Sequence, residues 1–138
     1  MSVSSEKFFI SSKGFDDVVD ITQKIQDVVS NFSIKNGVAQ ITLLASTASL
    51  ITIDDEPGLE FDVSRLLENI VPLNKVYQHD SEWLEGNAHA HLKSIILGKS
   101  LNLPIVDSKI QLGSWQRIIF IDFDNKVQNR EIIVSVIY

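Results

Sequence analysis

All three histidines of the chain lie within one stretch of thirteen residues, as His79, His89 and His91. Imidazole nitrogens are common metal ligands, and three of them can form the protein face of a zinc site. In extended backbone His89 and His91 would project to one side, whereas at the start of a helix they would diverge by roughly 200°. Because the spacing matches neither a zinc finger nor a zincin, the alternative is a polar loop with surface histidines.

Carboxylates flank these histidines. Asp80 follows His79 directly, and Glu82 and Glu85 come shortly after it. A carboxylate beside an imidazole can bind the same ion, orient the ring or act as a general base. Each of the three carboxylates could take any of these roles.

A second acidic cluster, Asp54-Asp55-Glu56, comes just before Pro57. Acidic side chains ahead of a helix complement the positive end of the helix dipole, and proline is favoured in the first helical turn. The favoured interpretation is therefore a solvated turn between a strand and a helix. A carboxylate metal site is the alternative.

Small hydroxyl side chains stand between two predicted strands, at Ser46 and Thr47. Such groups can donate hydrogen bonds to phosphate oxygens, although they also fill tight turns. Gln116 is polar at the start of a predicted strand, where packing does not explain it. The sequence contains no Gly-x-Ser-x-Gly motif, no glycine-rich phosphate loop and no dinucleotide fingerprint, so it gives little support to a serine hydrolase or a nucleotide-binding enzyme.

The elements that must position these groups follow from the spacing of the apolar residues. Alternation and β-branched residues predict strands at residues 7–11, 38–44, 48–53, 101–106, 109–112, 115–123 and 131–138. Spacings of three and four predict helices at residues 15–32, 59–70 and 91–98, with a polar loop at residues 73–87. Strands at both ends with two to three helices between them predict a single α+β domain over residues 1–138, mostly an antiparallel β-sandwich.

Composition narrows the classes of function. The 138 residues are 44% hydrophobic and 22% charged, which is typical of one globular domain. The formal net charge of −6 disfavours nucleic acid as a partner, because binding to phosphates needs a basic face. The absence of cysteine excludes disulfides, thiolate metal ligands and a thiol nucleophile. No apolar run approaches the roughly 20 residues of a membrane span, and no signal-peptide core is present, so we expect no membrane partner and a cytoplasmic location.

Four motifs in a fixed order make the chain resemble the YjbQ family. They are Tyr77-x-His79-Asp80, then Glu85-Gly86-Asn87-Ala88-His89-Ala90-His91, then Leu97-Gly98-x-Ser100, and finally Gly113-Ser114-Trp115-Gln116. The resemblance covers essentially the whole chain. It implies a trimeric α+β sandwich, with a second and third copy of the chain as partners. It also implies a secondary thiamine-phosphate synthase activity, in which the nitrogen of a thiazole phosphate displaces diphosphate from a pyrimidine methyl diphosphate.

The resemblance also implies a set of site residues. An acidic chain cannot neutralise a departing diphosphate by its net charge, so a divalent cation, zinc or magnesium, is expected as cofactor. The expected metal ligands are His79, His89 and His91, with Glu85 and Asp80 as catalytic or supporting carboxylates. The small phosphorylated substrate is expected to contact Ser46, Thr47, Asn87, Lys93 and Gln116.

The chain departs from the family pattern at Ala45, where members usually carry histidine. Glu85 replaces the usual aspartate and Ser114 the usual threonine, and both changes keep the chemistry. Two other functions stay open. Imidazoles favour zinc or another transition ion whereas diphosphate favours magnesium, so one alternative is a metal-dependent hydrolase of another substrate. The loss of an imidazole at Ala45 is consistent with the other alternative, a non-catalytic trimeric protein that binds a metal or ligand.

Overall fold

The computed structural model of the chain describes residues 1–83 and 86–138, apart from the side chain of Trp83. In this part of the chain the strands are β1 Val3–Ser12, β2 Asp17–Asp20, β3 Gly37–Leu43, β4 Ala48–Asp54, β5 Ser100–Val106, β6 Lys109–Ile110, β7 Gln116–Asp122 and β8 Gln128–Ile137. The helices are α1 Thr22–Asn31, α2 Pro57–Ile70, α3 Gln78–Trp83 and α4 Ala88–Leu97. None of these helices is long and apolar enough to cross a membrane.

The strands form two antiparallel sheets. The larger has the order β1-β8-β3-β5-β6 and the smaller the order β2-β7-β4. In the larger sheet Phe8 lies opposite Ile132, and in the smaller sheet Ile51 lies opposite Ile119. All strand pairs are antiparallel, which confirms the predicted α+β class with mostly antiparallel sheet.

The smaller sheet is covered on both faces, because successive side chains of a strand point to opposite sides. On one face Ile118 and Phe120 of β7 pack in a core with Val134 of β8 and Ile25 of α1. On the other face Ile119 and Ile121 pack with Leu67 of α2 and Ala90 of α4. The resulting order of layers is large sheet, small sheet and the helices α2 and α4.

The predicted helix at residues 15–32 was wrong at its beginning. Residues 17–20 form strand β2, which pairs with β7, and α1 starts only at Thr22. Val18 and Val19 are β-branched and find a strand partner, so tertiary pairing overrides the helical spacing. Asp20 then accepts a hydrogen bond from the backbone N–H of Thr22 at 2.9 Å, which marks the turn into the helix.

The expected polar loop at residues 73–87 also contains a helix, α3, so the described residues form four helices where two to three were predicted. The acidic turn before Pro57 has the predicted structure. The side chain of Glu56 accepts hydrogen bonds from the N–H groups of Gly58 and Leu59 and caps α2. That cap confirms the interpretation of the cluster as a turn between a strand and a helix.

Candidate functional site

His79 and His91 lie side by side. Their ring centroids are 4.7 Å apart, with the ring planes at 66°, an edge-to-face arrangement. His79 is carried by α3 and His91 by α4, so the pair exists because these two helices meet. The Nε2 atom of His79 is 3.0 Å from Oδ1 of Asn87, which fixes the orientation of the ring.

His89 is placed elsewhere. It lies two residues before His91 on the same helix, and at helical spacing the two side chains diverge by roughly 200°. His89 is only 5% exposed, and its Nε2 atom is 3.2 Å from Oδ1 of Asn125. Its Nδ1 atom is buried without a hydrogen-bond partner among the described residues.

The structure therefore brings together two of the three histidines. Within residues 1–83 and 86–138, no three side chains of the types His, Asp and Glu come close enough to hold one metal ion. Glu85, an expected catalytic carboxylate, lies outside the described residues. The metal role of the histidines stays a prediction.

Two clefts meet at His91. One has a volume of about 250 Å³ and is lined by Tyr77, His79 and Leu92 as well as His91. The other has a volume of about 210 Å³ and places Ser46 and Lys99 around His91. A hydroxyl and an ammonium group are good hydrogen-bond donors to phosphate oxygens, so this second cleft has the chemistry of an anion site.

Hydrogen bonds fix helix α4 on either side of its two histidines. Oδ1 of Asp80 accepts a hydrogen bond from the backbone N–H of Ala88 at 3.0 Å, which satisfies a free donor at the start of α4. Further along, the hydroxyl of Ser94 donates to the carbonyl of Ala48 in β4 at 2.7 Å. Asp80 thus positions the helix that carries His91.

Tyr77 contributes a fixed phenol at the edge of the first cleft. Its hydroxyl donates to the carbonyl of Pro72 at 2.7 Å. Burial raises the pKa of Tyr77, and the charges of Glu68 and Asp80 raise it further. The phenol is therefore protonated at neutral pH and acts as a hydrogen-bonding group.

A buried ionic network lies behind the clefts. The guanidinium of Arg130 donates to both carboxylate oxygens of Asp122, at 2.7 and 2.8 Å, and to Oγ1 of Thr47 at 2.6 Å. Thr47 in turn donates to Asp124 at 2.9 Å, and Asn87 donates to the other oxygen of Asp124 at 3.4 Å. Thr47 and Asn87, which were expected to touch substrate, are engaged here and support the site from behind.

The network also sets the ionisation of Asp122. Burial raises the pKa of this carboxyl, but hydrogen bonds from Arg130, Ser12 and the N–H of Asp124, with the charge of Arg130, outweigh burial and hold the pKa below its ordinary value. Asp122 is therefore a carboxylate paired with a buried cation across the physiological pH range.

Gln116 and Lys93 do not line either cleft. Gln116 begins β7, about 20 Å along the strand from Asp122, and its side-chain oxygen accepts a hydrogen bond from the N–H of Gly113 at 2.8 Å. Lys93 lies on the face of α4 that carries His89 and lines a different cavity, against Phe123. Of the expected substrate contacts, Ser46 is the one that lines a cleft with His91.

Sequence reasoning missed Lys99 and Arg130. Lys99 directly follows Gly98, the C-cap of α4, so its side chain can lie near the end of this helix. Arg130 occupies an inward position of β8, in alternation with Ile132 and Val134. A charge at an inward strand position requires a buried partner, so the alternation alone could have indicated the network.

Comparison with known proteins identifies the family. The family profile described as UPF0047 protein YjbQ-like matches residues 6–138. The chain belongs to the YjbQ family. A UPF0047 protein of Archaeoglobus fulgidus is 35% identical over 117 residues, which cover 85% of this chain and 89% of the relative. A UPF0047 protein of Methanocaldococcus jannaschii is 36% identical over 133 residues, or 95% of this chain and 92% of the relative.

Solved structures of the YjbQ family have the same fold. A YbjQ-like protein of unknown function from Sulfolobus solfataricus P2 superposes with a TM-score of 0.91 and 28% identity, over 98% of this chain and 96% of that protein. An uncharacterised YjbQ/UPF0047 protein of Clostridium acetobutylicum superposes with a TM-score of 0.86 and 28% identity, over 96% and 99% of the two chains. The fold of this chain is thus shared with these two solved structures.

Proposed function

We propose that this YjbQ-family chain is an enzyme of small phosphorylated substrates, with a reaction of the thiamine-phosphate synthase type as its leading activity. The observation that supports the proposal is the position of His91 between two clefts. One cleft presents Ser46 and Lys99 to an anion, and the other presents the phenol of Tyr77 and the ring of His79. A substrate with a diphosphate at one end and a heterocycle at the other matches this division.

The reaction breaks a C–O bond and forms a C–N bond. The thiazole nitrogen attacks the methylene carbon of the pyrimidine, and diphosphate leaves with the electron pair of the broken bond. Stabilisation of that leaving charge is the main catalytic requirement. Lys99 supplies a cation and Ser46 a hydroxyl donor for the diphosphate oxygens, while His91 stands where the two parts of the substrate meet.

His79 and His91, whose rings lie side by side, are the described residues that would supply imidazole ligands to a divalent cation. Such an ion would supply Lewis-acid neutralisation of the leaving diphosphate. Two imidazoles favour zinc or another transition ion, whereas diphosphate oxygens favour magnesium. The imidazole pair therefore also supports a second candidate function, a metal-dependent hydrolase of a phosphorylated substrate.

We propose a homotrimer with the site at a subunit boundary. Gln116 and the preceding Trp115 lie at the end of β7 that is remote from the clefts, and Trp115 is 79% exposed. A large exposed aromatic residue is common in contacts between subunits. In a trimer, this end of one copy can approach the clefts of the next copy, which would bring Gln116 to the substrate.

The anion cleft gives a first prediction. Lys99→Met should weaken the binding of inorganic diphosphate by about 10- to 100-fold, because a charged hydrogen bond is lost. Titration calorimetry in the presence of magnesium measures the affinity. Lys35→Met is the control, since Lys35 is an exposed lysine between α1 and β3, 3.9 Å from Asp107 in the β5–β6 turn. Equal affinities of the parent and Lys99→Met would contradict the assignment of this cleft.

Ala45 gives a second prediction. It is partly buried against the main core and precedes Ser46 of the anion cleft. If an imidazole at this position takes part in proton transfer, Ala45→His should raise the rate of thiamine phosphate formation by about 10 to 10⁴-fold. The rate is compared with magnesium and with zinc. A variant that gains no rate and loses about 1 to 3 kcal/mol of stability would show that histidine only overpacks this position.

A further inference from the structure

A cavity separate from the two clefts lies between the small sheet and the helices α2 and α4, with a volume of about 90 Å³. Its walls are mainly aliphatic: Ile53 of β4 and Ile119 of β7 face Val63 of α2 across it. Phe123, just after β7, contributes an aromatic face. None of the residues that line the two clefts at His91 lines this cavity, so the cavity is distinct from the clefts.

Lys93 is the cation of this cavity. Its side chain is only 5% exposed, and its Nζ atom is 5.8 Å from the centre of the Phe123 ring. Within residues 1–83 and 86–138, no carboxylate oxygen comes within 4.0 Å of that nitrogen. A buried ammonium group is costly unless it is paired, and contact with an aromatic face compensates only part of the cost.

The acidic residues near the cavity do not pair with Lys93. Asp16 and Glu60 line the cavity but form no ion pair with it. Glu60 is engaged with Asp55 instead, and that hydrogen bond, with burial and the charges of Asp55 and Glu56, raises the pKa of Glu60. Among the residues that the structure describes, the ammonium group of Lys93 thus forms no ion pair.

We infer that this cavity binds a small monocarboxylate with a short aliphatic body, whose carboxylate pairs with Lys93. The aliphatic walls match the body and the unpaired ammonium matches the anion. The size of the body follows from the volume. A cavity of roughly 150 Å³ holds benzene, so a cavity of about 90 Å³ takes a body of about three or four carbons.

Isobutyrate and its uncharged isostere isobutyramide are the probes. Isobutyrate should raise the melting temperature of the protein in a concentration-dependent way, because a ligand that binds only the folded state stabilises it. Isobutyramide should bind about 10- to 100-fold more weakly, since its neutral carbonyl can accept a hydrogen bond from Lys93 but carries no charge to pair with the ammonium group. Sodium chloride at the same ionic strength controls for the effect of salt. Equal responses to the acid and the amide would overturn the inference.

Three variants complete the test. Lys93→Met should abolish the preference for the acid, whereas the exposed Lys126→Met should keep it. Val63→Phe fills the cavity and leaves Lys93 in place, so it should lose isobutyrate binding even if Lys93→Met does not fold. Retention of isobutyrate binding by Val63→Phe, or of the preference for the acid by Lys93→Met, would show that the carboxylate binds elsewhere.

Discussion

Replacing Arg130 by methionine should destabilise the protein by about 3 to 5 kcal/mol, the usual cost of removing one partner of a buried ion pair. Arg130 donates two hydrogen bonds to Asp122, whose side chain is fully buried, and a third to Thr47. Methionine preserves much of the volume, so the loss reports the uncompensated carboxylate. Urea denaturation at neutral pH measures the free energy of unfolding.

The double variant Arg130→Met/Asp122→Asn is the matched control. Because it removes the buried charge as well, it should recover part of the stability that Arg130→Met loses. Additive losses in the two single variants would show that the pair does not act as a unit. A single-variant loss below about 1 kcal/mol would contradict the account of the network.

The pH dependence of the same variant checks the cause. Hydrogen bonds outweigh burial and lower the pKa of Asp122 and Asp124 in the folded protein, so these groups stabilise it above the unfolded pKa near 3.8. That stability is lost as the pH falls through the folded values. In Arg130→Met, burial of Asp122 is no longer opposed by Arg130, so the destabilisation should be smaller at about pH 3 than at neutral pH.

The class of fold and the family motifs follow from local patterns. The alternation of buried and less buried residues in β8 and the apolar stripe of α2 depend only on residues close in sequence. The interpretation of Glu56 as part of a turn depends on its close neighbours as well. Strand β2 did not follow, because Val18 and Val19 form a strand only through pairing with β7, a hundred residues further along the chain. The spacing of apolar residues near Val18 and Val19 does not indicate a pairing with a strand so distant in the sequence.

The sequence predicted which segment of the chain carries the site, but not how its side chains are arranged. The concentration of histidines located the site, and His79 and His91 do come together. The start of α4 at Ala88, supported by Asp80 from eight residues away, decides that His89 and His91 diverge. Lys93 comes four residues after His89 and therefore lies on the same face of α4 as His89. For this reason Lys93 does not line the clefts at His91.

His91 should be the residue whose loss costs most activity. It borders both the anion cleft and the cleft of His79. No other described residue lines both clefts. His91→Asn keeps a polar group of similar reach and removes the imidazole. If the imidazole carries proton transfer or holds the cation, the rate of product formation should fall by about 10² to 10⁴-fold.

Leu92→Ala is the matched control, because Leu92 is a half-exposed neighbour on the same helix. It truncates an apolar wall of one cleft without touching an imidazole, so its effect on rate should stay within about 10-fold. The melting temperatures of both variants are measured beside that of the parent, because an unchanged melting temperature shows that a loss of activity is not a loss of fold.

The most direct measurement is the rate of thiamine phosphate formation from the pyrimidine diphosphate and the thiazole phosphate, with magnesium and separately with zinc. The account predicts that the parent forms product above the rate without protein with at least one of the two ions, and that His91→Asn loses this activity while Leu92→Ala keeps it. A parent rate equal to the rate without protein for both ions, or equal rates in the parent and His91→Asn, would contradict it.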